Sequence, residues 1–228
     1  MQVENIRRDI IKTISIKGGL PAVNLSSADI FAALYFNTIK HNPRQPKWEE
    51  RDRVFVSDKL TPAWQTTLAH AGYYAKKKIY EPSELPKGTP HALSNAIGSA
   101  ITAKIEGKKH HTYCIITDAE TSWEEIMLAG KQKLNNITLI IDRNNMEAEG
   151  YLDIEPLRQK IEAFGWEVIE VDGHNTKHLT EALNIKSNKP TAIIAHTIPG
   201  KGTFMENNTE WYDKKPTKEE AEKAMNQI

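Results

Sequence analysis

The sequence predicts an α/β fold, a single doubly wound, mostly parallel sheet with helices on both faces. Two observations predict it. Apolar runs rich in β-type residues, at 113–116, 137–141, 167–171 and 191–195, alternate with helix-length segments. That alternation builds a parallel sheet covered on both sides. The first two runs also stop on polar clusters: Asp118 after one, and Asp142, Asn144 and Asn145 after the other. In a parallel sheet such clusters lie side by side at the carboxyl edge, where these folds bind ligands.

The elements follow in order. Val3, Ile6, Ile10 and Ile14 keep one face of a first helix apolar. Gly18-Gly19 ends it, and 20–25 reads as a loop. Ser26 or Ser27 can cap a second helix holding Ala28, Ile30, Phe31, Leu34 and Tyr35. After a turn region at 41–46, residues 54–56 form a short strand and 62–74 a helix. Pro82, Pro86, Gly88 and Pro90 mark an irregular loop. Helix resumes near Ala92, with Leu93, Ala96, Ile97 and Ala100 as its apolar face. Helices over 122–134, 156–164 and 177–185 separate the four apolar strands, and a last helix starts near Thr217. No composition shift divides the chain, so one domain over residues 1–228 is expected.

Composition excludes several function classes. Of 228 residues, 39% are hydrophobic and 26% charged, ordinary proportions for a globular protein. Thirty basic and thirty acidic residues cancel, so no charge excess points to nucleic acid or to a membrane surface. No apolar run approaches the roughly 18 residues that span a bilayer. The start, MQVENIRRDIIKTI, mixes charged and apolar residues at helical spacing, unlike a secretory signal. Cys114, the only cysteine, sits within an apolar strand, where a buried inert thiol is expected. A reducing, cytoplasmic setting is the default.

Asp118, Asn144 and a nearby backbone carbonyl are hard oxygen ligands of the kind that suit a magnesium ion also holding a diphosphate. Plainer readings stand beside this one. Asp118 is a good cap for the helix that includes Trp123, and Arg143-Asn144-Asn145 makes a good turn after a strand.

Thr117-Asp118-Ala119 and Asn144-Asn145 resemble the two elements of the thiamine-diphosphate motif, Gly-Asp-Gly and Asn-Asn, without its glycines. Further landmarks agree: LSSADIFAALYF (25–36), WEERDRVFVS (48–57), LAHAGYY (68–74), EPLRQKIEAFGWEVIEVDGHN (155–175), PTAIIAHTIPGKGTFMENNTEW (190–211) and the closing KKPTKEEAEKAM. Over nearly its whole length the chain is similar to the amino-terminal, diphosphate-binding half of a transketolase, of the kind encoded as a separate subunit. The resemblance implies Mg2+ held by Asp118, Asn144 and the Met146 backbone carbonyl. It implies thiamine diphosphate bound near Thr117, Asp118, Ala119, Asn144 and Met146. It further implies a separate carboxyl-terminal transketolase-like subunit that takes the aminopyrimidine ring, in a homo- or hetero-oligomer. The family moves two-carbon ketol units between phosphosugars. Trp123, Ile126 and Met127 are the expected contact residues.

Departures from the family fall where its chemistry lies. Its Gly-His-Pro-Gly-Gly loop is here Gly19-Leu20-Pro21-Ala22-Val23. Its Ser-Lys-Gly-His is Ser57-Asp58-Lys59-Leu60, and its Trp-His-Gly is Trp211-Tyr212-Asp213. A histidine-bearing loop is shortened to SELPKGTPHALSNAIG, and a deletion after Glu120 brings Thr121-Ser122 straight to Trp123-Glu124. Neither Leu nor Tyr relays protons near neutral pH as His does. Thr117 and Ala119 in place of glycines imply weakened cofactor binding. His91, where the short loop re-enters helix, is the candidate catalytic proton carrier, or else a plain helix-start residue. His174 and His196 read as hydrogen-bonded scaffold; His41, His70, His110, His111 and His178 read as surface. The readings left open are an active ketol-transfer subunit, a divergent thiamine-diphosphate lyase or acyl-transfer subunit, and a catalytically silent scaffold or regulatory subunit.

Overall fold

Side-chain alternation along the strands decides which helices lie on which face. The computed structural model describes residues 2–148 and 150–228. Its main sheet is all parallel, in the order β1-β2-β3-β7-β6. The strands are β1 (Arg53–Val56), β2 (Thr112–Thr117), β3 (Ile137–Arg143), β6 (Glu167–Asp172) and β7 (Thr191–His196). Tyr113, Ile115, Ile140, Ile193 and Ala195 face one core; Cys114, Ile116, Leu139, Ile141, Ala192 and Ile194 face the other. Strands buried on both faces read as continuous apolar runs, which is why the sequence showed them.

The first core is closed by α1 (Gln2–Lys17), α2 (Pro21–Ser26), α3 (Ala28–Asn37), α4 (Thr61–His70), α8 (Thr176–Leu183) and α9 (Lys218–Met225). The second is closed by α5 (Ala92–Ile105), α6 (Trp123–Lys131) and α7 (Leu157–Ala163). Gly130 in α6 is obligatory for this packing, because an added Cβ would lie 1.8 Å from the Phe164 carbonyl oxygen beyond α7.

Three features differ from the expectations. Residues 21–26 are helix, not loop. Pro21 begins α2 in the position where a missing N–H costs nothing, and only Ser27 separates it from α3. A two-stranded antiparallel hairpin, β4 (Met146–Glu147) with β5 (Gly150–Tyr151), follows β3. The helix expected over 62–74 ends at His70. Thr217 caps α9, accepting from the Glu220 N–H at 3.2 Å while the Glu220 carboxylate accepts from the Thr217 N–H.

The shortened loop lies against the end of β1. Thr89 N–H donates to the Val56 carbonyl at 2.8 Å, Gly88 N–H to Thr61 Oγ1 at 3.0 Å and Gln65 Nε2 to the Pro86 carbonyl at 2.8 Å. Gly88 is needed there, since a Cβ would meet the Ser57 carbonyl oxygen at 2.1 Å.

Candidate functional site

β2 and β3 pair in parallel with Thr117 opposite Asp142, so Asp118 and Asn144 leave neighbouring strands at the same edge. Their side chains, however, enter different networks. Strand parity is the reason. Asp142 follows Ile141 and faces the α2 side; Arg143 faces the other.

On the α2 side, Asp142 is fully buried. It accepts from Ser26 Oγ at 2.6 Å, Asn144 Nδ2 at 3.1 Å and the Thr197 hydroxyl. Burial pushes its carboxyl up to about 6, against the pull of these donors. The Asn144 amide oxygen accepts from the Met146 N–H at 3.0 Å. Met146 itself is buried in the first core.

On the opposite side, Asp118 Oδ2 accepts from Arg143 Nη1 at 2.8 Å and from the Asn145 N–H at 2.8 Å; Oδ1 accepts from the Ala119 N–H at 2.9 Å. Asn145 aims its N–H this way by adopting φ +60, a left-handed conformation that Asn tolerates. The side chains of Arg143 and Asp118 are 4% and 0% exposed. Arg143 also reaches Glu155 Oε1, at 3.0 Å from Nη2, and the Leu152 carbonyl at 3.4 Å. Burial raises the Asp118 carboxyl above the usual carboxylate range, and Arg143 and the backbone donors only partly offset this.

A divalent metal needs carboxylate and amide lone pairs that converge on an open point. Asp118 Oδ2 has both lone pairs used, one by a guanidinium, and the group is closed to solvent. As arranged, these residues do not fit the metal. The glycine replacements are likewise engaged locally. Thr117, at φ −82, needs no glycine-like backbone. Its hydroxyl donates to Glu120 Oε2 at 2.8 Å, and Glu120 Oε1 accepts from Ser57 Oγ at 2.8 Å.

His91 is exposed and starts α5 at φ 55. It lines a cavity of about 250 Å3 with Asp58, Lys59, Glu120 and Glu125. Neither Asp118 nor Asn144 borders that cavity, and its carboxylates outnumber its one lysine, the wrong balance for a diphosphate.

The family profile described as transketolase, thiamine diphosphate binding domain, matches residues 2–79 and 92–228. The chain belongs to this family. A subunit of the apulose-4-phosphate transketolase of Actinobacillus succinogenes is 32% identical, over 98% of this chain and 93% of its own length. The 6-deoxy-6-sulfo-D-fructose transketolase subunit SqwG of a Clostridium species is also 32% identical, over 96% of this chain and 91% of its own. Among solved structures, transketolase from Campylobacter jejuni superposes with a TM-score of 0.84 at 28% identity. That match takes in 92% of this chain and 39% of the Campylobacter chain.

The positions that depart from the transketolase pattern are packed as core. Leu60 is 0% exposed, Tyr212 9%, and Leu20 packs against the same cluster. His91 falls in the stretch the profile does not match. His174 is scaffold: Nε2 accepts from the Ile198 N–H at 2.8 Å, so Nδ1 carries the proton toward Asp29 at 2.8 Å. His196 pairs with Glu170 at 2.7 Å.

The reading of His41, His70 and His111 as surface residues is corrected by their contacts. His41 stacks on Tyr73, His70 pairs with Asp9 at 2.7 Å, and His111 bonds Thr138 at 2.8 Å. Ile126 is 0% exposed and belongs to the core, and Trp123 is partly covered beneath Lys160. Met127, 50% exposed, and its neighbour Leu128, 43% exposed, form the open apolar surface of α6. Sequence reasoning missed Ser26 and Arg143 as site-forming residues. Counting strand parity onward from Ile141 would have separated Asp142 from Arg143. Among the described residues, no helix is long and apolar enough to cross a membrane.

Proposed function

We propose that this chain is the amino-terminal subunit of a two-chain transketolase-type assembly, and that its role is to pair with a carboxyl-terminal transketolase-like chain rather than to carry out ordinary ketol transfer between phosphosugars. The observation that carries the pairing is the near-complete overlap with relatives named as subunits, 93% and 91% of their lengths. The open apolar face of α6, Met127 and Leu128, supports it, since such surface favours association. A cytoplasmic hetero-oligomer is part of this reading. The named substrates of the relatives differ, so they assign none to this chain.

Leu20, Leu60 and Tyr212 support the weak ketol transfer. A positioned acid–base group contributes about 10²–10⁴-fold, and three such positions here are apolar packing. A second reading, a divergent thiamine-diphosphate enzyme, draws on Asp118 and Asn144 at adjacent strand ends, with His91 as its proton carrier. One reconstitution tests both. Light scattering of the chain mixed with its carboxyl-terminal partner should show a stable complex that Met127→Lys weakens, and a coupled ketol-transfer assay of that complex should show little turnover. Failure to associate overturns the pairing. Turnover that His91→Ala abolishes favours the second reading.

A further inference from the structure

We infer that Arg143 is a built-in cation that takes the place of a divalent metal at Asp118, so that the β2–β3 edge is assembled without metal. This inference does not depend on pairing with another chain. It rests on the arrangement of the guanidinium. Arg143 is the last residue of β3, and the sheet fixes its backbone by pairing it opposite His196. Its side chain turns under the end of β2 and places Nη1 2.8 Å from Asp118 Oδ2.

Its other nitrogens also reach acceptors. Nη2 and Nε reach Glu155 Oε1 at 3.0 and 3.3 Å, and Nη1 shares the Leu152 carbonyl at 3.4 Å. One positive charge therefore sits between two carboxylates, one sealed and one half open to solvent.

The surrounding backbone is shaped to this pair. Asn145 gives its N–H to the same Asp118 oxygen, and Leu152 N–H donates to the Asn145 carbonyl at 3.0 Å, which ties the hairpin to the turn. The amide that would complete a metal's ligand set turns away: Asn144 Oδ1 accepts from Met146 N–H, and Nδ2 donates to Asp142. A divalent ion placed on Asp118 Oδ2 would face the guanidinium across the same oxygen, and the nearby Glu155 carboxylate is already paired with that guanidinium. Arg143 is tethered and always protonated, so chelators cannot remove it and metal concentration cannot regulate it. What a bound ion does reversibly elsewhere, neutralising a buried carboxylate at a strand end, is permanent in this chain.

The test is Mn2+ binding to the full chain in the presence of thiamine diphosphate, read as loss of free-ion signal by electron paramagnetic resonance. The natural chain should show no site that depends on Asp118, and EDTA should leave its Tm unchanged. Arg143→Met should have a lowered Tm and should gain one Mn2+ site that also raises its Tm. Asp118→Asn in the Arg143→Met background should remove both effects. If Arg143→Met does not fold in buffer, refolding with Mn2+ present reads the same site; recovery that requires both Mn2+ and the Asp118 carboxylate supports the proposal. One Mn2+ bound by the natural chain and lost in Asp118→Asn overturns it. So does a folded Arg143→Met chain that gains no metal site.

Discussion

Asp118 and Asp142 stand at the ends of adjacent parallel strands, both sealed from water, and they are neutralised in different ways. Asp118 meets a guanidinium and two backbone N–H groups. Asp142 meets two hydroxyls and an amide, none of them charged. A buried carboxylate given a cation keeps its charge and becomes costly to uncouple. One given only neutral donors stays ionisable, and burial moves its titration toward neutrality. Burial raises both carboxyls, but at this strand edge one is held beside a cation and the other faces only neutral donors. The split follows from side-chain alternation at residues 142 and 143, which sends one residue to each face of the sheet.

The largest expected effect comes from uncoupling the buried ion pair. Arg143→Met leaves Asp118 buried beside backbone donors only and should cost about 3–5 kcal/mol in urea unfolding. Adding Asp118→Asn should recover part of that loss, because the penalty lies in the orphaned charge. A loss below about 1 kcal/mol would show that Asp118 does not rely on Arg143, and the contrast with Asp142 would collapse.

The titratable carboxylate predicts a pH signature that a second group masks. The Asp142 carboxyl is raised to about 6 from 3.8. Between those values the folded state holds more protons than the unfolded one, so this group's contribution to stability falls as pH rises through the window, by at most about 3 kcal/mol. Burial lowers the His111 imidazole to about 4 from 6.5. Its folded state holds fewer protons there, so its contribution is present above 6.5 and is lost as pH falls toward 4, by a comparable amount. The two slopes oppose each other. These two contributions should therefore largely cancel between pH 4 and 6.5 in the natural chain. Asp142→Asn should become steadily less stable on acidification, and His111→Gln more stable. Parallel curves for all three chains would remove the contrast.

Ser26→Ala takes one donor from Asp142 and should cost about 1–2 kcal/mol. It should also move the Asp142 titration further up, measurable by carboxyl NMR, because a donor to the charged form is gone. An unchanged titration would mean that Ser26 and α2 do not set the charge on Asp142.

How much of this was readable in the sequence depends on range. The strands were legible because Tyr113 to Ile116 and Ile137 to Ile141 are apolar on both faces, and the helices between them because their burial repeats every three or four residues. The placing of Asp118 and Asn144 at one edge followed from parallel pairing alone. α2 was not legible: it is six residues long, follows Gly18-Gly19, and has no capping side chain, so Pro21 was its only positional signal. Nor was the partnership of Arg143 with Asp118, 25 residues apart in sequence, or that of Ser26 with Asp142, 116 apart. Residue type marks such groups as polar, and only the packed sheet decides which of them meet. The family resemblance supplied a ligand list; side-chain direction decided how those ligands are spent.

The smallest expected effect separates the two ends of Arg143 itself. Its Glu155 partner is 56% exposed, against 0% for Asp118. An ion pair open to water is screened and contributes about 0.2–1 kcal/mol, so Glu155→Gln should cost no more than that. Glu155 has a second role that Gln only partly preserves, since its Oε2 accepts from the Leu157 N–H at 2.8 Å at the start of α7. The amide oxygen of Gln can still serve there, which keeps the expected loss at the low end. The salt dependence then distinguishes charge from geometry. If Glu155 acts through charge, the difference between Glu155 and Gln chains should shrink as ionic strength rises, while the penalty of Arg143→Met should persist, because no salt reaches Asp118. A Glu155→Gln loss as large as that of Arg143→Met would mean that the half-exposed carboxylate, not the sealed one, holds the guanidinium, and Asp118 would then be the passenger of the pair.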